Sequence, residues 1–123
     1  MKLTKNFNRE EFDCRDGTQV PTVYYKNLQE LADNLQILRD HLGEPVQILS
    51  GYRTPTYNKK LKGSARFSQH LKAKAGDLTV KSLSPKQLKA TIEKLIAAGK
   101  MKNGGIGLYP GFVHYDTGDV RRW

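Results

Sequence analysis

The chain has one cysteine, Cys14, and no second thiol to pair with it. That excludes an intramolecular disulfide and a zinc site built from several cysteines, so packing must hold the fold, with or without a metal bound by other side chains. Long apolar runs are missing too: nothing approaches the about 18 consecutive apolar residues that a membrane-spanning helix needs. Met1-Lys2-Leu3-Thr4-Lys5-Asn6-Phe7-Asn8 lacks the apolar segment of a secretion signal. The chain as given reads as soluble, with no membrane span and no visible export signal. Acidic residues are scarce, 12 against 21 Lys and Arg, which leaves a net charge of +9. Such an excess attracts polyanions such as nucleic acid, anionic lipid or the anionic polymers of a bacterial envelope. No run of about five or six basic residues marks a nucleic-acid tail, however. Lys59, Lys60, Lys62, Arg66, Lys72, Lys74 and Lys81 are interspersed with other residue types, so the expectation is a solvated basic surface and no dedicated nucleic-acid site. A nucleotide loop is excluded as well. Gly105-Ile106-Gly107 runs into Pro110 where G-x-G-x-x-G requires glycine, and no Gly-Lys-Ser/Thr follows.

What is present suits a folded domain. Hydrophobic residues make up 37% and charged residues 27%, a globular composition. At 123 residues the chain can bury a core but has no room for a catalytic domain plus a separate binding domain. The expectation is one domain over residues 1–123, acting as a monomer. Phe7-Asn8-Arg9-Glu10-Glu11-Phe12 reads as a short helical turn capped by Asn8, and 13–21 as a polar loop turning at Asp16-Gly17. Leu28, Leu31, Leu35, Leu38 and Leu42 carry helical spacing, so about 24–42 is an amphipathic helix stopped by Gly43 and Pro45. Residues 46–50 read as a strand, 56–61 as a helical turn, 62–68 as an exposed basic loop and 77–80 as a second strand. Ser84-Pro85 supplies a cap and a first-turn proline to a helix that ends near Gly99. Two final strands, 104–109 and 112–116, meet at Pro110-Gly111. The order predicts an α+β fold with a small, mainly antiparallel sheet and flanking helices.

Three residues on this frame could hold one metal ion: His70, Asp77 and His114. Three protein ligands leave the fourth position of zinc open for water, as a hydrolytic site requires. On one continuous helix His70 and Asp77 would stand about 10 Å apart along the axis, too far to share an ion. A turn through Ala73-Lys74-Ala75-Gly76 into a strand beginning at Asp77 brings them together instead, and those small residues let the backbone pack closely. On a strand, His114 and Asp116 share a face. Three roles are then open to Asp116: hydrogen-bond partner of a ligand, general base, or plain surface residue. His41 sits near a helix end, where an imidazolium suits the macrodipole, and stays outside the site. Cys14 has no neighbouring histidine or basic cluster and reads as an incidental thiol.

The wider blocks resemble a known family. Ser50-Gly51-Tyr52-Arg53-Thr54-Pro55-x-Tyr57-Asn58, Ser68-x-His70-x6-Asp77, Gly104-Gly105-x-Gly107-x-Tyr109-Pro110, Phe112-Val113-His114-x-Asp116-x-Gly118 and Arg121-x-Trp123 are similar, in order, to the zinc peptidases of peptidase family M15. The nearest branch is subfamily A, the murein peptidases and D-Ala-D-Ala carboxypeptidases, whose N-terminal Phe-x-x-x-Glu-Phe also resembles Phe7–Phe12. The resemblance implies a hedgehog/DD-peptidase-like fold with the zinc site on the sheet. It implies one catalytic Zn2+ held by His70, Asp77 and His114, and peptidoglycan peptide stems or cross-links as substrate. It further implies that Arg53 binds a substrate carboxylate or the developing oxyanion, with an ion pair as the alternative. Tyr109 is implied as a substrate contact, and Ser68 and Gln69 as substrate contacts or caps of the local turn.

Two departures from the family stand out. Ala73 replaces the usual glycine of His-x-x-Gly-x-Ala-x-Asp. Several branches also carry Glu three residues, or His two residues, before the last ligand, where this chain has Gly111 and Phe112. By elimination Asp116 becomes the candidate proton acceptor. The expected activity is zinc-dependent hydrolysis of peptidoglycan peptide bonds, as carboxypeptidase or endopeptidase. The expected place is the cell wall or periplasm, reached from the cytoplasm as a phage lysin or as a mature exported form, with the basic surface drawn to an anionic wall. The alternative is a wall-binding or virion structural module of the same fold without turnover.

Overall fold

Leucines at helical spacing build the longest element, helix α1 (Tyr25–Leu42). Leu28, Leu31, Leu35 and Leu38 are all fully buried, one apolar stripe facing the core. The helix stops at Gly43, which takes the left-handed conformation (φ 68) and donates its N–H to the Arg39 carbonyl at 2.9 Å, a C-terminal geometry that glycine adopts without steric cost. In the computed structural model, which describes residues 1–61 and 63–123, α1 is followed by β1 (Gln47–Ser50), α2 (Pro55–Lys60), β2 (Ala75–Thr79), α3 (Pro85–Ala97), β3 (Gly105–Leu108), β4 (Val113–Asp116) and β5 (Arg121–Arg122). Lys62, the first residue of the expected basic loop, lies outside the described residues. Gly63, Ala65, Arg66 and Phe67 of that loop are exposed.

Helix α3 starts as its sequence dictates. Ser84 Oγ accepts from the Gln87 N–H at 3.2 Å, and the Gln87 side chain accepts from the Ser84 N–H at 2.9 Å. This reciprocal box satisfies two donors that a bare helix start would leave open, and Pro85 occupies the first turn, where its missing N–H costs nothing. Leu88, Ile92 and Leu95 face inward.

The five strands form one mixed sheet in the order β1-β2-β4-β3-β5, antiparallel except for β3 with β5. The α+β architecture with flanking helices is therefore the one expected. Two details differ from the sequence reading. Strand β2 begins at Ala75 rather than Asp77, because Ala75 and Gly76 pair with Asp116 and Tyr115 of β4. Strand β5 is not legible as a strand: Arg121-Arg122 has no alternation, and the two residues join the sheet through β3.

Blocks far apart in sequence meet under the sheet edge. Tyr52 donates its N–H to the Phe12 carbonyl at 2.8 Å, and a Cβ on Gly51 would lie 2.7 Å from the Phe12 Cα. Only glycine fits there, since the obstacle is backbone that cannot rotate away. Gly51→Ala is accordingly expected to destabilise the protein by about 1–3 kcal/mol through overpacking, read as a lower urea midpoint at unchanged slope.

Candidate metal centre

Each of the three candidate ligands is placed by a different device. Asp77 and His114 are direct cross-strand partners on β2 and β4, so their side chains leave the same face of the sheet. His70 reaches them from a short 3-10 turn, Gln69–Lys72, that ends in Ala73. Ala73 is the one non-glycine residue with positive φ (57) among those described. The reversal at this residue carries the chain from His70 into β2. The family's glycine at this position thus has a conformational reason, and the alanine methyl is held in a region disfavoured by about 1–2 kcal/mol. The turn starts with Ser68, whose Oγ accepts from the His70 N–H at 3.2 Å; of the two roles open to Ser68, capping is the one its contacts display. Gln69 packs against Gly118, where a Cβ would fall 2.9 Å from the Gln69 amide carbon.

The ligand atoms face one another. His70 Nε2 stands 3.1 Å and His114 Nδ1 3.3 Å from Asp77 Oδ1, and the three ligand atoms all lie within 4.8 Å of one another. Both tautomers are set from behind. His70 Nδ1 lies 2.7 Å from the Gly51 carbonyl oxygen, which can only accept, so Nδ1 carries the proton and Nε2 is left with its lone pair. His114 Nε2 lies 2.6 Å from Asp116 Oδ2 and donates to it, leaving Nδ1 free. Two imidazole lone pairs and one carboxylate converging on one point are a donor set that fits zinc, with outer hydrogen bonds orienting the ligands as metal sites require.

Electrostatics favour the neutral ring at His70 and the anionic carboxylate at Asp77, while at His114 they favour the protonated ring, whose Nδ1 proton a metal would have to displace. Burial favours the neutral His70 ring and pushes its pKa below the ordinary value, outweighing Asp77, which favours the charged form. Burial also pushes the Asp77 carboxyl up, but hydrogen bonds and charge from His114 and His70 more than offset this and hold it well below the usual carboxylate range. For His114, desolvation lowers the pKa, yet hydrogen bonds to Asp116 and Asp77 reverse the sign and raise it.

Asp116 lies behind His114, bonded to the ring nitrogen that faces away from Asp77. It is fully buried. Its Oδ2 accepts from His114 and from Arg121 Nη2 at 2.8 Å, and its Oδ1 from the backbone N–H groups of Gly105 at 3.1 Å and Gly118 at 2.9 Å. Burial raises its pKa, while the His114 contact and the two amides lower it further than burial raises it. The glycine run explains the fit: a Cβ on Gly105 would sit 2.4 Å from Asp116 Oδ2. Arg53 is also more tied than a free clamp. Its Nη2 bonds Asp77 Oδ2 at 2.9 Å, its Nε bonds Ser50 Oγ at 3.0 Å and its Nη1 reaches Asn58 Oδ1 at 3.4 Å. It still borders the cleft, together with Ser68, Gln69, Tyr109 and Phe112.

A profile of the Peptidase M15 family matches residues 5–116. The chain belongs to that family. Within it, the chain is 38% identical over 101 residues to the peptidoglycan L,D-endopeptidase MepK of Escherichia coli (strain K12), which covers 76% of this chain and 52% of that protein. It is 32% identical over 103 residues to the probable peptidoglycan L,D-endopeptidase MepK of Haemophilus influenzae, covering 79% and 52% respectively. The chain thus spans about half the length of these M15 relatives. The matched region contains the blocks that bring His70, Asp77 and His114 together.

The sequence reading missed the far wall of the cleft. Arg121 and Trp123 line it; they were visible only as the last block of the family resemblance, with no periodicity or spacing to give them a role. Trp123 lies on Gly107, where a Cβ would be 2.4 Å from the indole. Its ring stands 4.9 Å from that of His114, and its Nε1 donates to the Tyr109 hydroxyl at 2.8 Å.

Proposed function

We propose that this chain hydrolyses peptide bonds in the stems or cross-links of bacterial peptidoglycan, with one Zn2+ held by His70 Nε2, Asp77 and His114 Nδ1. The observation that carries the reading is the convergence of these ligand atoms within 4.8 Å, their tautomers fixed by Gly51 and Asp116. Zinc, when bound at such a site, supplies a Lewis acid for the scissile carbonyl and makes water a competent nucleophile near neutral pH. The chain's own residues do the rest. Asp116 fixes the His114 ring, and Arg53 restrains Asp77 through its outer oxygen while presenting positive charge to the cleft. Tyr109, whose hydroxyl oxygen accepts from Trp123, has no acceptor for its own O–H among the described residues and can offer it to a substrate oxygen. Tyr109 and Phe112 stack at 4.5 Å and form an apolar flank that limits water.

The L,D-endopeptidase activity for which the M15 relatives are named favours endopeptidase over carboxypeptidase, and a bond between an L- and a D-residue as the one cut. The net charge of +9 favours a residence on an anionic wall, reached as a lysin or after export. A wall-binding module without turnover is the second reading. One observation favours it: Asp77 is the only side-chain carboxylate lining the cleft among the described residues. Mass spectrometry of muropeptides after digestion separates the two. The hydrolytic reading predicts products with a new amino terminus at one defined bond, and an unchanged muropeptide profile with zinc-loaded protein would leave the binding module standing.

A further inference from the structure

The C-terminal strap offers a cation that the ligand set does not use. Strand β5 is pinned to β3 by backbone bonds, with Trp123 N–H to Ile106 O at 3.1 Å and Leu108 N–H to Trp123 O at 2.8 Å. Trp123 sits on Gly107, and the Arg121 guanidinium carbon stands 4.9 Å from the Trp123 ring centre, close enough for a cation–π contact. Arg121 Nη2 is held by Asp116. Two contacts therefore fix the plane of the guanidinium in advance. Its side chain is nonetheless 47% exposed, it borders the cleft, and its other N–H groups have no acceptor among the described residues.

The opposite wall is different. Arg53 is 12% exposed and has partners for three nitrogens, so it has little left with which to grip a further carboxylate. The one side-chain carboxylate lining the cleft among the described residues, Asp77, is engaged by Arg53 and two histidines.

Resting on the hydrolytic reading above, we propose that Arg121 is the specificity residue of the cleft and recognises a free carboxylate of the peptide substrate beside the scissile bond. A guanidinium already oriented by Trp123 and Asp116 loses little freedom when it binds such a group, and a charge-assisted contact is about twice as strong as a neutral one. The carboxamide of the same peptide offers no negative charge and fits the fork poorly.

The test uses two stem peptides identical except that the carboxylate flanking the scissile bond is free in one and amidated in the other. With the zinc-loaded chain, kcat/KM for the free carboxylate should exceed that for the amide by about tenfold or more. Arg121→Gln should bring the ratio close to one through a raised KM for the carboxylate peptide, and Arg121→Lys should restore part of it. Calorimetry with N-methylated, uncleavable versions of both peptides reads the same preference in Kd without turnover. Equal handling of both peptides by the wild-type chain overturns the proposal while leaving hydrolysis intact. So does an equal fall for both peptides in Arg121→Gln, the result expected if Arg121 serves only to hold Asp116. Absence of cleavage by the wild-type chain with a preserved Kd preference would refute the hydrolytic reading and support this one.

Discussion

His70→Ala is expected to abolish stoichiometric zinc binding and to reduce peptidoglycan hydrolysis to background. Structural zinc held by four protein ligands is bound with about 10–16 kcal/mol, so one ligand of the set is worth roughly 3 kcal/mol, a hundredfold or more in affinity. The loss is larger in function than in affinity, because a zinc ion with two protein ligands is no longer held in one position against the substrate. His70 is also the ligand that joins the two halves of the site. Its Nδ1 is bonded to Gly51, and its carbonyl accepts from the Arg53 N–H at 3.0 Å, so the turn, β1 and the Arg53 loop are all tied through it. Zinc content by mass spectrometry and amine release from purified peptidoglycan measure the two effects, with circular dichroism establishing that the variant folds. Wild-type zinc content in the variant would remove His70 from the ligand set.

Asp116→Ala is expected to act on zinc affinity and stability together. The substitution leaves the buried His114 N–H and two backbone N–H groups without their acceptor, and frees one arm of the half-exposed Arg121 guanidinium. Removing one partner of a buried charged network costs about 3–5 kcal/mol, and losing the residue that orients a metal-bound histidine lowers metal affinity by about 10- to 100-fold. Urea unfolding and a competitive zinc titration read the two quantities. Asp116→Asn should be milder, since its amide oxygen keeps an acceptor for the Gly105 and Gly118 N–H groups, two of the four donors, while losing the charge. A variant that kept full zinc affinity and stability yet lost turnover would return Asp116 to the role of proton acceptor.

The candidate metal centre was legible in sequence where local chemistry is short-ranged. Small residues between His70 and Asp77 announce a turn, and alternation on 112–116 puts His114 and Asp116 on one face; both features are present in the fold. Helices α1 and α3 were equally readable, because leucine spacing and the Ser84-Pro85 cap act within a few residues. What could not be read depends on packing between distant segments. Spacing left Asp116 with three roles, and it gave no sign of the four hydrogen bonds that reach its carboxylate from Gly105, His114, Gly118 and Arg121. Gly105 and Gly107 looked like a failed phosphate loop. In three dimensions they clear the sheet for Asp116 and Trp123. Strand β5 depends entirely on β3, and no pattern within Arg121-Arg122-Trp123 encodes it.

The account rests on zinc at His70, Asp77 and His114, and titrating the metal-stripped chain with zinc while following peptidoglycan hydrolysis tests it most directly. The prediction is no hydrolysis without metal, recovery that saturates at about one zinc per chain, and an anomalous-scattering peak between the three side chains in crystals of the restored protein. Full hydrolysis by the stripped chain, or a zinc peak elsewhere with these three residues unligated, would contradict it.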